Sequence, residues 1–210
     1  MLVARLLLLM LGIFIMETTN TEINHDLMDL AKVIPGIRLD IRYATINNFT
    51  GKQVYPDIAR KHCFLQKPAA QALKKVQEEL QQKYGLELVV FDGYRPHKVQ
   101  FIFWSLVPDE RYVGNPHKGS RHNRGCAVDV SLVKISGTLI PMPTGFDDFS
   151  ERAHQNYMNL PADAIANRKT LRMVMEKHGF KNLPSEWWHF DYETQQAYPI
   201  LDITFEELIS

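Results

Sequence analysis

The sequence predicts an α+β fold: a single domain with a mainly antiparallel sheet, helices packed around it, and a candidate metal site at the sheet. Three observations lead there. A chain of 210 residues, 45% hydrophobic and 23% charged, has the composition of one globular domain, and no linker divides it. Helix-like and strand-like segments are mixed, without the regular strand–helix alternation of a doubly wound fold. Two of the strand-like segments, one after Gly125 and one from Trp187 to Tyr192, carry a carboxylate and a histidine where both can reach one point.

The elements follow in order. From Asn20 to Pro35 the chain is polar and weakly patterned, whereas Gly36 to Tyr43 alternates apolar and polar residues as a half-buried strand does. Pro68 to Tyr84 reads as a helix. Ala69, Leu73, Val76 and Leu80 fall at helical spacing, Pro68 suits a first turn, and Gly85 supplies the stop. Leu86 to Phe91 is a strand leading into Asp92-Gly93-Tyr94-Arg95-Pro96, where the proline keeps Arg95 out of helical conformation. His97 to Leu106 suits a short helix, Val107 to Gly119 a loop, and Lys134 to Gly145 a short further strand broken by proline and glycine. Pro161 to His178, closed by Gly179, is the second long helix, and an acidic, apolar C-terminus ends the chain.

Charge and cysteine content exclude more than they select. Lys+Arg and Asp+Glu both number 24, so the net charge is zero and neither nucleic acid nor an anionic membrane surface is favoured as a partner. Two cysteines make no disulfide framework. No P-loop, dinucleotide fingerprint or nucleophile elbow is present.

Ser120 to Val130 is the stretch that carries chemistry. His122 and Asp129 are separated by a turn at Gly125 and the start of a strand, so a loop imidazole and a strand carboxylate converge. Downstream, Glu186 precedes His189 by three positions. Two histidines, a carboxylate and a nearby glutamate are the donor set of a catalytic zinc site with one position open for water. Taken singly, each of these residues is as readily a structural histidine or an ion-paired carboxylate; together they read as a site. On the Asp129 strand, Cys126 and Val128 point away from Asp129, which makes Cys126 a packed core thiol. His117 is the one competing histidine. Arg95, held before a proline at a strand end, is either an ion-paired residue or a donor to an oxyanion.

At these residues the sequence resembles the zinc D-alanyl-D-alanine dipeptidases, the vancomycin-resistance type and its relatives in peptidoglycan turnover. The family pattern Ser-x-His-x-x-Gly-x-Ala-x-Asp is matched at Ser120, His122, Gly125, Ala127 and Asp129, and Glu-x-x-His at Glu186 and His189. Asp92 to Pro96 matches the arginine segment, and Arg42-Tyr43-Ala44-Thr45 with Asn48 to Gly51 resembles the N-terminal one. The likeness runs from about Ile37 to beyond Trp188. It implies one zinc ion per chain on His122, Asp129 and His189, with Glu186 as general base and later proton donor. It further implies Arg95 on the oxyanion, Tyr43 and Asp147 at the substrate's ammonium end, and Ser120 at its carboxylate end. The substrate implied is the free D-Ala-D-Ala dipeptide, met in cell-wall peptide turnover or in glycopeptide resistance. A carboxypeptidase trimming peptidoglycan stems uses the same zinc motif, and a non-catalytic zinc-binding module is the other alternative; Glu186 and Arg95 together argue against the latter.

Residues 1–16 stand apart from the domain at 20–210. Arg5 precedes the uncharged apolar run Leu6 to Met16, too short to span a bilayer comfortably but suited to a signal-sequence core. The expectation is an exported protein, periplasmic and without a stable membrane partner once the signal is removed; if the run is no signal, the protein is cytoplasmic. Fractionation tests this: export requires a mature chain lacking the run outside the cytoplasm, and an intact N-terminus in the cytoplasmic fraction contradicts it.

Overall fold

The computed structural model describes residues 26–210, so the apolar run read as an export signal lies outside the described residues. In chain order the elements are β1 (Leu27–Asp29), α1 (Leu30–Val33), β2 (Arg38–Leu39), β3 (Phe64–Gln66), α2 (Lys67–Tyr84) and β4 (Leu86–Asp92). After them come α3 (His97–Leu106), β5 (Ala127–Lys134), α4 (Ala162–Lys177), β6 (Phe180–Leu183), β7 (Glu186–Tyr192) and α5 (Phe205–Ile209). Five strands form one sheet in the order β2-β4-β5-β7-β6, and β1 pairs with β3 in a separate ribbon. Within the sheet only β2–β4 is parallel; β4–β5, β5–β7 and β6–β7 are antiparallel. The mixed α+β, mainly antiparallel reading therefore holds.

The long helices form where periodicity placed them. Helix α2 buries Ala69, Leu73, Val76 and Leu80 and stops at Gly85, whose φ of 63° is left-handed and whose N–H donates to the Leu80 carbonyl. Helix α4 buries Leu171, Val174 and Met175, and the two helices pack on each other and on the sheet. Strand β5 is buried along nearly its whole length. Alternation sends Val128, Val130 and Leu132 into the hydrophobic core and turns Ala127, Asp129 and Ser131 to the opposite face. That second face carries the chemistry.

Four segments depart from the sequence reading. The alternating stretch Gly36 to Tyr43 contributes only Arg38–Leu39 to the sheet, then tightens into a 3-10 turn at Arg42–Ala44. Tyr43 is drawn inward instead of continuing a strand. Its ring lies 4.6 Å from Phe103, 5.6 Å from Tyr55 and 5.8 Å from Phe146. Lys134 to Gly145 forms no further strand, only a bridge between Val133 and Leu139; Pro141 and Pro143 remove two donors that a ladder needs. Within the polar N-terminal stretch, β1 and α1 form without a visible period, because three and four residues are too few to show one. Asp29 caps α1 by accepting from the Ala31 N–H at 3.0 Å. The C-terminus folds into α5 behind a capping box of Thr204 and Glu207.

Two irregularities in the strands position the site. Between Val90 and Asp92 the β4–β5 register shifts, leaving Phe91 unpaired and setting Asp92 opposite Asp129. In the β6–β7 pair the register shifts between Asn182 and Leu183, alongside Trp187 to His189.

Candidate active site

Glycine delivers the first imidazole. His122 opens a 3-10 turn ended by Gly125 at φ 66°, a left-handed conformation that L side chains rarely adopt. A Cβ there would also lie 2.5 Å from Leu27 Cδ2 and 3.3 Å from the Gln66 backbone nitrogen. The turn lets the chain reverse into β5 within a few residues, so the His122 side chain and Asp129 meet. Asp129 and His189 are directly paired across β5 and β7, which places their side chains on one face as neighbours.

The three groups converge closely. His189 Nδ1 lies 3.0 Å from Asp129 Oδ1, His122 Nε2 lies 3.5 Å from Asp129 Oδ2, and the two ring nitrogens are 3.2 Å apart. One ligand atom from each of the three falls within 4.8 Å of the others. The outer nitrogens are fixed as well. His122 Nδ1 donates to the Gly93 carbonyl at 2.7 Å, which leaves Nε2 as the lone-pair nitrogen. His189 Nε2 meets Asp191 Oδ1 at 3.1 Å, the carboxylate–histidine pairing that orients a ligating ring. Two imidazoles and a carboxylate packed this tightly in a buried place need a cation between them, a proton or a metal. The donor set and its outer hydrogen bonds fit a divalent metal.

Around this cluster lies a cavity of about 240 Å³. Tyr43, Arg95, Ser120, His122, Asp129, Asp147, Glu186 and His189 all line it, so all eight residues singled out in the sequence come together. His117 is not among the lining residues; its ring packs against Phe101. Cys126 is buried with a free thiol, and burial pushes that thiol up to about 11, as expected of a packed core cysteine. Glu186 and His189, three apart, would face opposite sides of a regular strand; the irregularity in the β6–β7 ladder lets both reach the cavity. The neighbouring Trp187 and Trp188 are both buried, their rings at 86° to each other.

Electrostatics separate the carboxylates. Glu186 is only 5% exposed, and burial pushes its carboxyl up to about 8. Asp147 is raised to about 7, again by burial first, although its Oδ1 accepts from the Tyr43 hydroxyl and its Oδ2 from the Phe49 N–H, both at 3.0 Å. It is also the one non-glycine residue with positive φ, 62°, among the described residues. Burial acts against the charge on Asp129 too, but His122 and His189 more than offset it and hold the carboxyl well below the usual range. For Arg95, burial opposes the charge and Asp92 and its neighbours restore it, so the guanidinium stays protonated.

Several residues of the site were not singled out from the sequence. Asp92 accepts from Arg95 Nε at 3.1 Å and Nη2 at 2.8 Å, and from the Tyr55 hydroxyl at 2.9 Å. It stands in the quoted arginine segment, but the bulge that turns it toward the site leaves no sequence signal. Asp191 was legible in principle: two positions after His189 on a strand, it shares that residue's face. The Phe49 amide and the Gly93 carbonyl act through the backbone, which side-chain patterns do not report.

Comparison with known proteins identifies the family. A family model described as D-Ala-D-Ala dipeptidase (peptidase M15) matches residues 23–209. The D-alanyl-D-alanine dipeptidase of Escherichia coli (strain K12) is 38% identical over 185 residues, covering 88% of this chain and 94% of that protein. The D-alanyl-D-alanine dipeptidase of Enterococcus faecium is 34% identical over 188 residues, with 80% and 91% covered. That of Enterococcus faecalis (strain ATCC 700802 / V583) is 32% identical over 180 residues, with 77% and 88% covered. The chain belongs to the D-Ala-D-Ala dipeptidase family of metallopeptidases, peptidase M15.

Proposed function

We propose that this protein is a zinc-dependent D,D-dipeptidase that hydrolyses free D-Ala-D-Ala, with one zinc ion per chain. The observation that carries the reading is the joining of two sets of groups in one cavity. The donor triad His122, Asp129 and His189 and the candidate catalytic pair Glu186 and Arg95 share it with the Tyr43–Asp147 pair and Ser120. The close relatives named dipeptidases, matched over nearly their whole length, support the substrate class. Zinc is the ion this N,N,O donor set favours for hydrolysis.

His122 Nε2, Asp129 and His189 Nδ1 would hold the ion. When bound, zinc supplies a Lewis acid that polarises the peptide carbonyl and makes water acidic near neutral pH. A cation at the triad also favours the ionised form of the buried Glu186, whose carboxylate then takes a proton from the attacking water and returns it to the leaving amine nitrogen. Arg95 donates to the oxyanion that develops on the substrate carbonyl. At the amino end, Asp147 and the Tyr43 hydroxyl receive the ammonium, and the Ser120 hydroxyl meets the carboxylate end. Recognition of both charged ends restricts turnover to dipeptides. The role is peptidoglycan-peptide turnover or glycopeptide resistance, and the apolar run after Arg5 supports action outside the cytoplasm.

A variant series checks the roles. His122→Ala should lower the zinc content measured by elemental analysis sharply, and full occupancy would refute the ligand assignment. Glu186→Ala should retain zinc and fold while losing about 10²–10⁴-fold in turnover. Arg95→Ala should retain zinc and lose roughly 10²–10³-fold in kcat, with little recovery in Arg95→Lys, which lacks the planar fork. Near-normal turnover by Glu186→Ala would remove the mechanism.

The substrate's amino end gives a separate test. Acetylation removes the ammonium and leaves Asp147 facing an uncharged amide, which should lower kcat/KM by more than about a hundredfold. Rates on D-Ala-D-Ala and acetyl-D-Ala-D-Ala under equal conditions decide the matter. Equal rates, or a preference for the acetylated peptide, would favour a carboxypeptidase acting on stem peptides.

A further inference from the structure

Arg95 is held in an unusual way. Both of its donors to Asp92 end on the same oxygen, Oδ2, at 3.1 and 2.8 Å, because Oδ1 accepts from the Tyr55 hydroxyl. Two bonds to one oxygen form a pivot, not the two-oxygen fork that fixes a guanidinium plane. The second anchor is Gln100, whose Oε1 accepts from Arg95 Nη1 at 2.9 Å. Gln100 is fully buried, on the same face of α3 as Phe103, whose ring lies 4.6 Å from Arg95 Cζ.

The amide orientation of Gln100 is dictated from both sides. A guanidinium only donates, so Oε1 must face Arg95, and Nε2 donates to the Gly114 carbonyl at 2.8 Å. Gly114 lies in the loop whose residues Glu110 to Gly114 line the cavity. A Cβ on Gly114 would sit 3.1 Å from Ser120 Cβ, a tight contact, and 3.7 Å from Gln100 Nε2, so the Gly114 backbone runs close beside both residues. Of the five N–H donors of an arginine, Asp92 takes two and Gln100 one. One on Nη1 and one on Nη2 remain.

We infer that Gln100 is a positioning residue for the reaction, fixing the plane of Arg95 so that its two remaining N–H groups serve the oxyanion, and tying that plane to the Gly114 loop beside Ser120. The inference rests on the proposed role of Arg95. Gln100 does not line the cavity, so it acts through Arg95. Its loss leaves Arg95 charged and bound to Asp92 but free to swing about Oδ2.

Gln100→Met, close in size but unable to make either bond, tests this in the zinc-loaded enzyme. The expected loss in kcat on D-Ala-D-Ala is roughly ten- to a hundredfold, the scale of a displaced catalytic group, with KM changed less than about threefold. Affinity for a phosphinate dipeptide analogue, a tetrahedral anion, should fall by the same factor as kcat. In an Arg95→Ala background the Gln100→Met change should cost nothing further. If Gln100→Met does not fold, Gln100→Asn, one methylene too short to reach, carries the same expectations. Turnover of the Gln100 variant within about twofold of the parent overturns the inference, as does an equal loss with and without Arg95. Failure of the Arg95 reading is seen separately, as Arg95→Ala turning over at the parent's rate.

Discussion

The pairing of Asp129 with His189 across β5 and β7 is the constraint on which the rest of the site depends. Two residues directly opposite on antiparallel strands put their side chains on one face at a separation the ladder fixes. Here that face is a cavity wall, and the opposite face belongs to the core beneath α2 and α4. The third donor, His122, cannot come from the sheet, since the next strand offers Asp92 at the matching position. It comes from the turn at Gly125, where the left-handed backbone and the proximity of Leu27 and Gln66 leave no room for a side chain. Two strands and one glycine turn thus hold three metal donors ready before any ion arrives.

A second layer of charge keeps this arrangement in place. Asp92, buried behind His122 and opposite Asp129, would repel its neighbours were it not paired with Arg95 and Tyr55. Buried charges are costly alone and tolerated when every one has a partner. Much of the site is nested in this way: Gly93 and Asp191 hold the outer nitrogens of the imidazoles, Asp92 and Gln100 hold Arg95, and Tyr43 with the Phe49 amide holds Asp147. Aromatic rings of Tyr43 and Phe103 cover the Arg95 guanidinium and keep water from it. The same dryness raises Glu186 and Asp147, which suits a proton carrier and a partner for an ammonium group.

What the sequence showed and what it hid divide along a physical line. His122, Asp129 and His189 were legible as a candidate donor set, because a glycine turn leading into a strand restricts where its side chains reach and a histidine behind a glutamate marks the second strand. The long helices were legible from their period and stops. Gly36 to Tyr43 misled, because its alternation satisfies a strand while Tyr43 gains more from an aromatic cluster drawn from distant segments. Bulges left no trace, and with them went the roles of Asp92 and the route by which Glu186 and His189 share a cavity. Gln100 reads as an ordinary polar position in an apolar helix; only its contacts at both ends give it a task. The capping box at Thr204 and Glu207 stood in plain view as Thr-x-x-Glu and needed only to be read.

The central claim is that two imidazoles and one carboxylate hold the catalytic ion with no contribution from sulfur. X-ray absorption at the zinc edge of the zinc-loaded protein tests it most directly. The account predicts two imidazole nitrogens with oxygen alone completing the shell, all at about 2.0–2.2 Å. A sulfur scatterer at about 2.3 Å, which requires Cys63 or Cys126 to leave the core and take a ligand position, would contradict it.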